Sequence, residues 1–139
     1  MTSIYADSTT PAVLEQDEGG DFEFGVLFAS DRDGWATGVR FYRGSALNVG
    51  PHYGHVWDEQ GTLLGSTGAF DLTEPLGWQQ AALTLPVRIK ANRHYVVSYG
   101  VPDCHISCSL NEPLAATVGG LSAVAYCYSE VQDGFPANG

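Results

Sequence analysis

Four groups of residues in this chain have types and spacings that could do chemistry: a histidine pair, a D-x-D-G turn, three late cysteines and a set of large aromatic rings. His52 and His55 are three apart in the run His52-Tyr53-Gly54-His55-Val56-Trp57-Asp58. On a strand that spacing puts them on opposite faces, so they cannot share a metal ion unless a bulge intervenes, and His52 is expected to be a hydrogen-bonded structural histidine. Asp31 and Asp33, followed by Gly34, resemble the start of an oxygen-rich calcium loop, the one cofactor the residues suggest. The same pattern is also ordinary hairpin-turn chemistry. Cys104 and Cys108 have the short spacing of a metal or redox pair, but no second pair accompanies them. With Cys127 the count is three, so at most one intrachain disulfide can form. The expectation is a bridge between Cys127 and Cys104 or Cys108, with inert buried thiols or a metal site as the alternatives.

The rings suggest a different chemistry. Glycan recognition uses flat aromatic faces for sugar C–H groups, with amides, carboxylates or guanidinium groups nearby for the hydroxyls. Tyr42 alternates with Arg40 on the polar side of its run, Tyr53 and Tyr99 lie in other strands, and Trp78 follows Gly77 at a strand start. Arg40, Tyr42, Tyr53, Trp78 and Tyr99 are therefore the candidate ligand-binding residues. Trp35 shares the alternating side of Thr37, Val39 and Phe41 and is expected in the core, as is Trp57 in mid-strand. Nothing points to catalysis: there is no G-x-S-x-G elbow, H-E-x-x-H pair or P-loop. A glycosidase would need two facing carboxylates at a set separation, which no spacing here specifies.

Composition narrows the partners. The formal net charge is −10 with only six Lys and Arg, which argues against nucleic acid, since phosphate binding needs a basic footprint. No apolar run reaches the roughly 18 residues that span a bilayer. The N-terminus carries no visible signal peptide, having neither a basic region nor an apolar stretch. At 139 residues and 44% hydrophobic content the chain fits one globular domain, residues 1–139, able to bury a core without staples.

The elements that must position these groups are strands. Alternation marks residues 22–29, with Phe24, Val26 and Phe28 inward, then Trp35–Tyr42 pairing back on it as a hairpin through Asp31-Arg32-Asp33-Gly34. Residues 52–57 and 62–67 form the next pair, Gly77-Trp78-Gln79 opens a strand, and Leu83, Leu85, Val87 and Ile89 continue the alternation. Pro86 interrupts that set, which requires an edge position or a bulge. Residues 94–99 form another strand and 121–128 a last one, with 103–111 read as a loop and 1–21 as an extended lead-in. No window shows helical periodicity. Seven or eight strands at this spacing predict an all-β fold, an antiparallel β-sandwich with jelly-roll-like connections.

The motifs, taken in order, resemble the DUF4082 family of bacterial extracellular domains. They are the strand and turn of 22–34, Gly38-Val39-Arg40-Phe41-Tyr42-Arg43-Gly44, the His52, Gly54 and Trp57 strand, and Gly61-Thr62-Leu63-Leu64-Gly65. Leu76-Gly77-Trp78-Gln79, Tyr95-Val96-Val97-Ser98-Tyr99-Gly100-Val101-Pro102 and Phe135-Pro136 complete the series. The resemblance implies a secreted, carbohydrate-binding-module-like β-sandwich, noncatalytic, that meets a polysaccharide or cell-surface glycan. The family's aromatic-rich last strand is not found at the end of this chain. That leaves three expectations: the N-terminal segment Ser3–Val13 fills the gap, a neighbouring copy or related subunit donates a strand, or an edge stays exposed. Strand donation or edge pairing would make the domain a structural subunit of a surface assembly instead.

Overall fold

The computed structural model describes residues 4–5, 13–17, 20–44, 50–73, 75–102, 105–108, 116–118 and 120–138. The strands are β1 (Val13–Asp17), β2 (Phe22–Ser30), β3 (Gly34–Arg43), β4 (Tyr53–Asp58), β5 (Leu63–Ala69), β6 (Gly77–Ile89), β7 (His94–Val101), β8 (His105–Cys108), β9 (Ala116–Val118) and β10 (Leu121–Ser129). Among the described residues there is no α-helix. Eight strands form one sheet in the order β3-β6-β5-β4-β7-β2-β10-β9, and β1 pairs separately with β8. Every pairing is antiparallel, and the β5–β6 contact is registered by one residue pair, Thr67 with Leu83.

That thin contact is where the sheet curls. The inner faces of β3 and β6 come down on β4, β7 and β2, and the buried cluster between them holds Phe28, Val39, Phe41, Val56, Phe70, Leu83, Val87, Ile89 and Tyr95. Phe41 sits at its centre, stacked on Tyr99 at 4.4 Å and meeting Phe70 edge-on at 5.0 Å. Gly54 permits the close approach of the two parts, since a Cβ there would lie 2.7 Å from Val39 Cβ. The all-β antiparallel architecture read from the alternation is thus present as one curled sheet.

The hairpin expected between residues 22–29 and 35–42 does not form. β2 lies between β7 and β10, while β3 pairs with β6. The Asp31–Asp33 turn carries the chain from one part of the sheet to the other, beside the β6–β7 turn that does the same. The two turns are tied together by Ala91 N–H donating to Asp33 Oδ1 (2.8 Å) and Asn92 N–H donating to the Ser30 carbonyl (2.7 Å). Alternation gives the buried face of a strand but not its neighbour, so both pairings satisfy the same pattern.

Pro86 lies in a bulge, as its ring requires. Ala36 pairs with Val87 and Gly38 with Ala82, so Thr37 faces the four residues Leu83–Pro86, and Leu85 bulges out with 75% exposure. The same irregularity shifts the parity of β3: Ala36, Val39 and Phe41 all pack on the core, and Trp35 is turned outward at 61% exposure. The core position expected for Trp35 is therefore corrected.

The loop expected at 103–111 contains β8, and the lead-in contains β1. The strand position beside β2 is taken by β10, paired from Leu121 to Ser129. Of the segment Ser3–Val13 expected to fill a gap, Ser3 and residues 6–12 lie outside the described residues, while Ile4 and Tyr5 make contacts with the sheet. Ile4 packs on the core cluster, Arg40 of β3 donates to the Tyr5 carbonyl, and Tyr5 hydrogen-bonds Tyr126 of β10. Ile4 and Tyr5 thereby link strands from the two far parts of the sheet. Burial and the neighbouring Tyr126 push the Tyr5 phenol well above its ordinary pKa.

Candidate functional site

Two surfaces of the sheet collect groups with chemical potential. The first is the outer face of β3 and β6. Register pairs Tyr42 with Trp78, Arg40 with Gln80 and Trp35 with Arg88, all pointing away from the core that Val39, Phe41 and Val87 enter. Trp78 meets Tyr42 edge-on at 5.5 Å and carries the Arg40 guanidinium 4.4 Å from its ring centroid. At the other end of the strand pair Arg88 lies 5.4 Å from the Trp35 centroid. Gly38 and Ala82 separate the two ends with almost no side chain. The result is a strip with rings at both ends, roughly 20 Å long at about 3.3 Å per strand residue.

Three of the five expected ligand residues, Arg40, Tyr42 and Trp78, thus meet on one face. Tyr53 and Tyr99 do not join them. Tyr53 is on β4 and partly exposed, and Tyr99 is turned into the core against Phe41 and His52. Trp35, missed in the sequence, belongs to the strip. The signal that could have found it is Pro86, whose bulge breaks the phase of the paired strand.

The second surface is the opposite face of β2, β7 and β4. Here Glu23 is fully buried. Its Oε2 accepts hydrogen bonds from His55 Nδ1 (2.7 Å) and Ser98 Oγ (2.6 Å), and its Oε1 accepts from the Asp133 backbone N–H (3.0 Å). Trp57 Nε1–H donates in turn to Ser98 Oγ at 2.8 Å. A buried carboxylate is tolerated only when its lone pairs are filled in this way. The lid over this network is the segment after β10: Phe135 packs edge-on against Trp57 at 5.5 Å, and Asn138 bridges to Tyr128. Gly61, at φ +90°, lies under the Phe135 ring, where a Cβ would come within 3.1 Å of it. Gly100 clears the space for Gln132, so small residues make the bed in which the tail lies.

The two histidines stand on opposite faces, as their spacing requires. His52 is fully buried, donates Nδ1–H to the Gly100 carbonyl at 2.7 Å and packs on Phe41, which makes it the structural histidine expected. For His55, burial works against the charged ring, but the hydrogen bond and charge of Glu23 and the charge of Asp133 outweigh it and hold the pKa above the ordinary histidine value. Trp57 is buried as expected, on this second face.

Asp31 pairs with Arg32 at 2.7 Å, and Asp33 binds the Ala91 N–H and faces Arg88 at 3.4 Å. Both carboxylates thus act in their turn. Among the described residues Cys127 is a free thiol, and the side chains of Cys104 and Cys108, its expected bridge partners, lie outside them. Cys104 falls outside the described residues, and Cys108 is described only as a backbone partner of Val13. Cys127 faces a cavity of about 230 Å³ beneath the tail, lined by Leu27, Val96, Phe135 and Pro136 among others. Burial pushes its thiol up to about 11. Because the thiolate is the nucleophile, Cys127 is expected to resist alkylation by iodoacetamide at pH 8 and to react once the chain is unfolded in urea. Peptide mapping of the label checks this, and rapid labelling of the folded protein at Cys127 would contradict it.

The class defined by these features is an all-β domain whose inner face is a core, whose second face is sealed by its own tail, and whose β3–β6 face is an aromatic strip. The chain belongs to the family described as "Domain of unknown function (DUF4082)", whose model matches residues 8–138. Comparison with curated proteins and with solved structures found no match.

Proposed function

We propose that this is a noncatalytic binding module of an extracellular or cell-surface protein, and that the outer β3–β6 strip takes a polysaccharide or cell-surface glycan. The observation that carries the reading is the placing of Trp35, Tyr42 and Trp78 on one face with Arg40 and Arg88 beside them. Rings offer apolar faces to sugar C–H groups, and guanidinium N–H groups donate to hydroxyls. The small residues between the two ends leave room for a chain to lie along the strip. In the same reading the curled sheet is an open β-sandwich with jelly-roll-like connections, supported by the packing of Val39 and Phe41 against Gly54 and Tyr99.

The second reading is a structural subunit that assembles by strand donation or edge pairing. An unfilled strand position would favour it. The one beside β2 is occupied by β10, so the glycan reading has the stronger support.

The test is pull-down by insoluble polysaccharides and binding to a glycan array. Trp78→Ala and Trp35→Ala are each expected to weaken binding at least tenfold, with Tyr53→Ala close to wild type. Absence of glycan binding together with dilution-resistant oligomers would replace this reading with the second.

A further inference from the structure

One pair of groups at the edge of the buried network is left facing each other. Glu23 holds His55 through Nδ1, which fixes the ring and aims Nε2 toward the tail. Among the described residues the one polar neighbour of Nε2 is Asp133 Oδ1, 3.4 Å away. That is longer than a charge-assisted N–H···O bond of about 2.7–2.9 Å. The histidine side chain is 8% exposed while the Asp133 side chain is 61% exposed, so a buried imidazole faces a solvent-accessible carboxylate.

The separation has a chemical meaning. Two ligand atoms each about 2.0–2.2 Å from a tetrahedral zinc-type ion stand about 3.3–3.5 Å apart, and the observed N···O distance falls in that interval. Histidines that ligate metal nearly always give their other ring nitrogen to a carboxylate or carbonyl, the role Glu23 has here. Glu23 also accepts the Asp133 backbone N–H, so a single buried carboxylate positions both facing groups. The ligand atoms of Glu23, His55 and Asp133 all lie within 4.8 Å of one another.

We infer that His55 Nε2 and the Asp133 carboxylate bind a divalent transition-metal ion of the zinc class, with Glu23 as the orienting residue and the remaining positions open to water. An imidazole nitrogen selects such an ion over calcium or magnesium, which take oxygen ligands. Because His55 is on β4 and Asp133 is in the segment after β10, the ion would fasten the tail over Trp57 and Ser98. The inference does not depend on what the β3–β6 strip binds, which lies on another face.

The test is calorimetric titration of the chelator-treated protein with ZnCl2, repeated with CaCl2. One zinc ion per chain is expected, with no saturable calcium binding. Asp133→Asn, at an exposed position that leaves the core intact, is expected to weaken zinc binding at least tenfold. Zinc titration of ring-labelled protein should also shift the His55 Nε2 resonance and leave His52 unmoved. No saturable zinc binding would overturn the inference. So would binding that Asp133→Asn leaves within twofold of wild type, because the ion would then be held elsewhere, as by the cysteines.

Discussion

Replacing Glu23 with alanine is expected to destabilise the domain by about 3–5 kcal/mol, the range found when one partner of a buried ion pair is removed. The expectation follows from how much converges on that side chain. His55 Nδ1–H, the Ser98 hydroxyl and the Asp133 N–H all donate to it, and Trp57 is held through Ser98. Without the carboxylate these donors remain beneath the tail without an acceptor, and each buried unsatisfied group costs about 1–3 kcal/mol. Glu23→Gln keeps the shape but turns an amide donor toward one set of donors, so an intermediate loss is expected. Urea unfolding measures both: the midpoint should fall with little change in slope. A midpoint for Glu23→Ala equivalent to within about 0.5 kcal/mol of wild type, the scatter of an ordinary surface substitution, would show that the network has no structural weight.

Phe41→Ala should produce a loss of similar size, about 3–5 kcal/mol, for a different physical reason. Phe41 is 4% exposed and touches Tyr99, Phe70 and His52, so it joins the β3 part of the sheet to the β4–β7 part. Truncation removes apolar burial and leaves a void that rings fixed on three sides cannot fill. Phe41→Leu, which keeps most of the volume, should lose clearly less. Trp35→Ala provides the contrast, because an exposed ring on the outer face carries little of the fold and its loss should stay near 0.5 kcal/mol. Equal losses at Phe41 and Trp35 would contradict the assignment of inner and outer faces.

How far the sequence predicted this molecule can be followed residue by residue. Phe28, Val39 and Phe41 enter the core as their alternation requires, and His52 and His55 separate onto opposite faces because the period of a strand is two. Pro86 marked its own bulge. What the bulge does to the partner strand was not visible, since the phase of β3 changes only once pairing with β6 is known. Alternation alone therefore places Trp35 on the inner side, whereas the paired strand turns it outward. The β2–β3 hairpin failed for a related reason: a short turn is compatible with a hairpin or with crossing to the other part of the sheet, and the choice is made by a second turn far along the chain.

The Glu23 network has no signature in the sequence, because Glu23, His55 and Ser98 alternate with apolar residues as solvent-facing residues do. Only the tail, which has no periodicity of its own, buries them. Gly25, Ser98 and Gly100, small residues on that face, were the available hint, since a face of small side chains leaves space for something to lie on it.

The three tryptophans of the chain allow one measurement to address the central claim, that the outer β3–β6 face is the surface that meets a glycan. In a two-dimensional 1H–15N spectrum each indole N–H gives its own signal, and a soluble oligosaccharide from the bound polysaccharide is titrated in. The expected result is a progressive shift of the Trp35 and Trp78 signals, while Trp57, buried beneath Phe135 and bonded to Ser98, stays in place. A shift of Trp57 alone, with Trp35 and Trp78 unmoved at saturating ligand, would contradict it.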